Sequence, residues 1–128
     1  MDVKINQPEN RKKIIYFITK SVWGGAAQYV IDLASGVDRS TYKPFVAAGG
    51  QGPLVEKARR EGITFIEVPH FGRNIKLLAD VFSFFEVLYI LRCVEPDTIH
   101  VNSSKAGGIC GAAGYFYNFF LYCREILN

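Results

Sequence analysis

The chain has 128 residues, 49% hydrophobic and 21% charged, with a formal net charge of +3. That is enough apolar mass for one core in one domain, and the charge is too mild and too scattered to point to nucleic acid. Cys93, Cys110 and Cys123 form no C-x-x-C pair and have no histidine at a ligand spacing. This argues against a disulfide frame or a zinc site and predicts reduced thiols in a cytosolic protein.

In chain order, residues 1–12 read as a flexible polar lead-in, and the cluster Arg11-Lys12-Lys13 as a solvated approach to the first strand. The apolar run Ile14 to Ile18 is too short for a secretory signal. It reads instead as a strand over about Lys13–Ile18. A polar turn and the pair Gly24-Gly25 follow, and a helix starts at about Gly25. Ala26, Val30, Leu33, Ala34 and Val37 have helical spacing for a buried side, with Gln28, Asp32 and Ser35 opposite. A second strand is predicted over Lys43–Ala48, where Pro44 suggests an edge or first-residue position. Gly49-Gly50-Gln51-Gly52 is a second glycine turn. The next helix opens with Pro53 and stops at Gly62, with Leu54, Val55 and Ala58 toward the sheet.

Thr64 to Val68 form a third strand, ended by Pro69. A long apolar helix is expected over about Ile75–Val94, with Leu77, Leu78, Val81, Phe82, Phe85, Leu88 and Leu91 as a broad apolar face. Asp80, Glu86 and Arg92 argue against a membrane span there. Glu95-Pro96-Asp97 breaks the chain before a fourth strand, Thr98–Val101. The turn Asn102-Ser103-Ser104-Lys105 then leads to a helix from about Ala106. Strands separated by helices at this spacing imply right-handed crossovers, a parallel sheet of at least four strands and a doubly wound α/β domain over residues 13–128.

In such a fold ligands bind at the carboxyl edge of the sheet. The candidates are therefore Trp23 to Gly25, Gly50 to Gly52, His70 to Asn74, and Asn102 to Lys105. Gly24-Gly25 opens a helix whose free N–H groups and dipole favour an anion. The same pair also reads as a tight turn for close helix packing. It is neither a G-x-G-x-x-G fingerprint nor a P-loop, and no acidic residue follows the second strand, which disfavours a nicotinamide dinucleotide. Ser103 or Ser104 suits a helix cap. Lys105 in the first turn opposes the helix dipole, and a bound phosphate or carboxylate would relieve that conflict. His70 and Arg73 read as solvated loop residues or as part of the site, and His100 as sheet packing. No Ser/His/Asp set or carboxylate pair comes together, so no catalytic residue, metal ligand or cofactor is assigned.

The small residues Ala106 to Gly114 would let the last helix lie close on the sheet; a membrane dimer face is the rival reading. The span between Lys105 and Arg124 carries no charge and is long enough to cross a bilayer, but its hydropathy is only moderate.

Three segments, in this order and spacing, resemble the amino-terminal half of a family-4 glycosyltransferase of the GT-B fold. They are Lys13 to Ile18 followed by Val22 to Val30 with Leu33-Ala34, then Val46 to Leu54, and Glu95 to Gly107. The resemblance runs from about Lys13 to Gly114. It implies a Rossmann-like domain of a metal-independent enzyme that moves a sugar from a nucleotide-sugar donor to an acceptor, with the active site between two such domains. It places Gly24 and Gly25 at the donor diphosphate. It places His70, Arg73, Asn102, Ser103, Ser104 and Lys105 toward an acceptor, often lipid-linked or phosphorylated.

The family's fifth strand, its His-Gly turn and its carboxyl-terminal donor domain have no counterpart in these residues. The expectation is thus a truncated, acceptor-side half, inactive alone, cytoplasmic or at the inner face of the membrane, with peripheral membrane contact. A stand-alone flavodoxin-like phosphate-binding module and a subunit completed by a partner chain are the alternatives. The aromatic stretch Tyr115 to Cys123 is expected to expose rings with no partner layer.

Overall fold

The computed structural model describes residues 10–21, 23–72, 77–102 and 104–127; for Ser104, Lys105 and residues 119–127 it describes the backbone alone. Four strands, β1 (Lys12–Lys20), β2 (Tyr42–Gly49), β3 (Thr64–Glu67) and β4 (Thr98–Val101), form one parallel sheet in the order β3-β2-β1-β4. They alternate with α1 (Gly25–Gly36), α2 (Pro53–Arg60), α3 (Leu77–Val94) and α4 (Ser104–Leu127). The expected α/β architecture is present.

The two-residue period of β1 divides the core. Tyr16 and Ile18, with Val46 and Ala48, meet Ala27, Val30, Ile31 and Ala34 of α1 and Leu54 and Ala58 of α2. Ile15 and Phe17, with Phe45 and Ala47, meet Val87, Ile90, Leu91 and Val94 of α3 and Ala106, Cys110, Ala113 and Tyr117 of α4. Both faces of β1 and β2 are covered, so these strands read as apolar runs without alternation.

Several expectations need correction. Pro44 lies in an interior strand, not at an edge. Pairing with β3 begins only at Phe45–Thr64, so the sheet is open beside Pro44 on that side and the missing N–H leaves no gap there. The basic lead-in is partly anchored: Lys13 Nζ donates to Val94 O at 2.9 Å, the last residue of α3, and an Arg11 guanidinium nitrogen donates to Arg39 O at 2.9 Å. In α1 the buried side contains Ala27, whereas Ala26 is exposed.

The largest difference concerns α3. Of its expected apolar face, Leu91 is buried and Leu88 packs against the core, but Leu77, Leu78, Val81, Phe82 and Phe85 are all exposed. The inward residues are Ser83, Val87, Ile90, Leu91 and Val94. Helical phase explains this. At about 100° per residue Ser83, Val87, Ile90, Leu91 and Val94 share one side of α3, which meets the sheet, and Leu78, Val81, Phe82 and Phe85 fall on the opposite side. Apolar residues run all round the helix, so the sequence does not mark which side turns inward.

Of the small residues of α4, Ala106 and Ala113 are buried against the sheet. A Cβ at Gly107 or Gly114 would make only ordinary contact, 3.9 Å from Val101 or 3.7 Å from Ile99, and one at Gly108 or Gly111 would meet nothing within 4 Å. Tyr115 and Phe116 are exposed as expected, but Tyr117 is buried against the sheet side of the core.

Candidate active-site half at the carboxyl edge of the sheet

The chain runs outward from β1 through β2 to β3, then returns to the other side of β1 as β4. The crevice of a doubly wound sheet opens at this reversal, between the carboxyl ends of β1 and β4. The turns that flank it carry Gly24-Gly25 after β1 and Asn102 after β4. The strand order thus brings together the two turns that the sequence marks as anion-seeking.

Gly24 is the N-cap of α1, in extended backbone (φ 176°, ψ −170°), and no side chain caps the helix. Its carbonyl accepts from Gln28 N at 2.9 Å. No acidic residue lies in the first turn. A Cβ built at Gly24 or Gly25 would meet nothing within 4 Å. Close helix packing therefore does not account for the pair. What the glycines provide is uncovered backbone at the positive end of a helix.

Across the switch point, Asn102 N donates to Phe17 O at 3.0 Å and ties the end of β4 to β1. Its side-chain Nδ2 is buried and has no partner among the described residues, which is unusual for a buried donor. Lys105 lies in the first turn of α4. Ser103 lies outside the described residues, as do the side chains of Ser104 and Lys105.

The second glycine turn is structural. Ser21 N donates to Gly49 O at 2.9 Å, Leu54 N donates to Ser21 O at 2.9 Å, and Gly52 N donates to Ser21 Oγ at 2.6 Å. Gly50 has φ +80°, a left-handed conformation suited to glycine. A buried serine between a strand and a glycine turn, such as Ser21, has no distinctive local signal in the sequence.

His70 is not simply solvated. Its backbone N donates to Glu86 Oε1 at 2.9 Å, its Nδ1 lies 2.5 Å from Glu86 Oε2, and its ring sits 5.1 Å from that of Phe82. Glu86 is thereby held by the loop after β3, with its side chain only 16% exposed. The sequence signal for Glu86 was a lone carboxylate among Phe84, Phe85 and Val87 on an apolar helix. The loop folds back toward β1, since Phe71 packs edge-on to Phe17 at 6.5 Å. His70 itself is held against α3, and Arg73 lies outside the described residues.

His100 packs beside Tyr16 at 5.4 Å, as sheet packing requires. Among the described residues no three His, Cys, Asp or Glu side chains converge as a metal site. None of the helices, searched over the described residues, is long and apolar enough to cross a membrane.

Four parallel strands alternating with helices, with an open, glycine-bearing helix start at the switch point, define a Rossmann-like α/β domain. The Glycosyltransferase Family 4 profile matches residues 23–119, and the chain belongs to that family. No curated protein matches it. Among solved structures, the fold is similar to a glycosyltransferase from Rickettsia africae ESF-5 (TM-score 0.69, 18% identity). It is also similar to Anabaena Alr3699/HepE, solved in complex with UDP and glucose (TM-score 0.67, 19% identity). Each likeness covers 84% of this chain and 28% of the other, so the chain spans under a third of the length of these neighbours.

Proposed function

We propose that this chain is the amino-terminal, acceptor-side domain of a glycosyltransferase that moves a sugar from a nucleotide sugar to an acceptor in glycan or polysaccharide biosynthesis. In that reaction the bond from the sugar's anomeric carbon to the donor phosphate breaks, and a bond to the acceptor oxygen forms. The acceptor hydroxyl loses its proton and the nucleoside diphosphate departs. The observation that carries the reading is the pairing, in a member of this family, of Gly24-Gly25 with Asn102 across the switch point.

Each residue has a stated part. The uncovered amides at Gly24 and Gly25 approach the donor diphosphate, where fixed N–H dipoles oppose the charge that develops on the leaving group. Asn102, Ser103, Ser104 and Lys105 face the acceptor from the β4–α4 turn. His70 and Arg73 face it from the β3–α3 loop, with His70 positioned by Glu86. The nucleoside contacts belong to a second domain or a partner chain, so the 128-residue chain is inactive alone.

The exposed apolar side chains of α3 begin next to the same loop, and they suit peripheral contact at the inner face of a membrane that presents a lipid-linked acceptor.

The test incubates the purified chain with UDP-glucose and a glycan acceptor. No transfer is expected; clear transfer overturns the half-site reading. Tight nucleotide binding without transfer would favour a stand-alone binding module, and activity restored by a second polypeptide would identify a completing subunit. Lys105→Ala is expected to weaken binding of a phosphorylated acceptor; unchanged affinity removes Lys105 from the site.

A further inference from the structure

Away from the switch-point crevice, a second concavity lies between α1 and α2, on the face of the sheet opposite α3 and α4. Its volume is about 370 Å³, within the range of small-ligand sites. Gln28, Asp32 and Ser35 line one wall at helical spacings of four and three residues, and Lys57, Arg60 and Glu61 line the other. Trp23, just before the glycine pair, closes the carboxyl-edge end. The polar stripe that the sequence placed opposite the buried side of α1 is therefore one side of a groove.

The groove is organised rather than merely polar. Gln28 Nε2 donates to Asp32 Oδ1 at 2.8 Å, which leaves the second Asp32 oxygen as an acceptor. Lys57 Nζ stands 5.0 Å from the centre of the Trp23 ring, a cation–π arrangement that holds both groups at the rim. Trp23 remains 39% exposed. The Ser35 hydroxyl is buried in the inner wall and has no partner among the described residues.

The chemistry of the lining selects a ligand class. The lining carries two cations, Lys57 and Arg60, and two carboxylates, Glu61 on the same wall and Asp32 across from them, so formal charge cancels and an ionic ligand gains little. The lining offers both donors (Gln28, Ser35, Lys57, Arg60) and acceptors (Asp32, Glu61) beside one flat aromatic ring, Trp23. A pyranose matches this, because its hydroxyls both donate and accept and its C–H face stacks on indole. We propose that the α1–α2 groove is a binding site for a neutral saccharide, separate from the cleft in which sugar transfer is placed. The groove stands on its own geometry and binds sugar whether or not the transferase reading is correct.

The chain has one tryptophan, so Trp23 emission reports directly on the site. The whole chain is titrated with glucose, galactose, mannose, N-acetylglucosamine and the disaccharides maltose and cellobiose. A saturable change in emission is expected for at least one of them, with a dissociation constant of about 1 mM. Asp32→Ala and Lys57→Ala, both surface changes checked for folding by circular dichroism, are each expected to weaken it about tenfold. The response is expected to persist when inorganic pyrophosphate, a probe of the Gly24-Gly25 turn, is present in excess.

Flat emission for the whole panel up to about 50 mM, far above the expected constant, overturns the proposal. So does a response untouched by both substitutions, one abolished by pyrophosphate, or tighter binding of glucuronate than of glucose. Failure of pyrophosphate to bind at all would count against the cleft reading and leave the groove standing.

Discussion

Ser21 and Gly52 lock the first two turns of the sheet to each other. Gly52 N donates to Ser21 Oγ at 2.6 Å, and a Cβ at Gly52 would come within 2.9 Å of that same Oγ and closer still to the Ser21 carbonyl. The glycine is required because the backbone of one turn lies directly on the other. Ser21→Ala strands the Gly52 N–H and is expected to cost about 1–3 kcal/mol. Gly52→Ala forces the turns apart and is expected to cost a similar amount or more. Urea unfolding measures both; two neutral results would remove the lock.

Gly25 predicts the opposite behaviour. A Cβ there meets nothing within 4 Å, and alanine outperforms glycine in a helix by about 0.5–1 kcal/mol. Gly25→Ala should leave the fold as stable or slightly more so, while it weakens pyrophosphate binding at the turn. A clear loss of stability would show that the pair serves packing rather than a ligand.

The thiols separate by burial. Burial pushes the Cys110 thiol up to about 12, because the thiolate would lose its solvation. At pH 8 it is almost wholly protonated and enclosed. Cys93 is only half-buried. Iodoacetamide should therefore modify Cys93 in the native protein and Cys110 only after unfolding. Equal native rates by peptide mass analysis would contradict the placement of α4 on the sheet.

Glu95 has φ 52°, a left-handed residue just past the end of α3. Left-handed backbone costs a side-chain-bearing residue about 1–2 kcal/mol. Glu95→Gly should raise the unfolding free energy by about 1 kcal/mol. An unchanged midpoint would mean that neighbouring contacts offset the strain.

The exposed apolar side of α3 predicts association with lipid. Leu77 and Leu78 are 80% and 75% exposed, and Phe85 is 60% exposed. The chain should co-sediment with vesicles of phosphatidylglycerol and phosphatidylcholine, and Leu78→Ser with Phe85→Ser should reduce the bound fraction several-fold. Equal sedimentation of the double variant would assign the binding elsewhere.

Much of the fold was legible because its signals are local. Alternate helices and strands, the Pro53 start and Gly62 stop of the second helix, and the Glu95-Pro96-Asp97 break all follow from backbone chemistry at single positions. Asp97 illustrates the limit. Its chain-breaking place was readable, but its Oδ2 accepting from Lys13 N at 2.8 Å joins residues 84 apart. Similarly, His70 and Arg73 could be placed in a loop, but the carboxylate that holds His70 lies sixteen residues away on α3. Pairings across that distance depend on which helix the loop folds against.

Hydrophobic period and turn chemistry settled that this chain is a parallel α/β domain with glycine turns at one edge, since both act within a few residues. The tertiary structure alone decided which glycines pack and which stand open. The same residue type is required at Gly52, where another backbone lies against it, and unhindered at Gly24, where nothing does. It also decided which side of α3 faces outward, because apolar residues surround that helix and only packing against the sheet selects Ser83, Val87, Ile90, Leu91 and Val94 as its inner side. Strand order, fixed only when β4 pairs with β1, set the Gly24-Gly25 turn and the turn at Asn102 on either side of a single crevice.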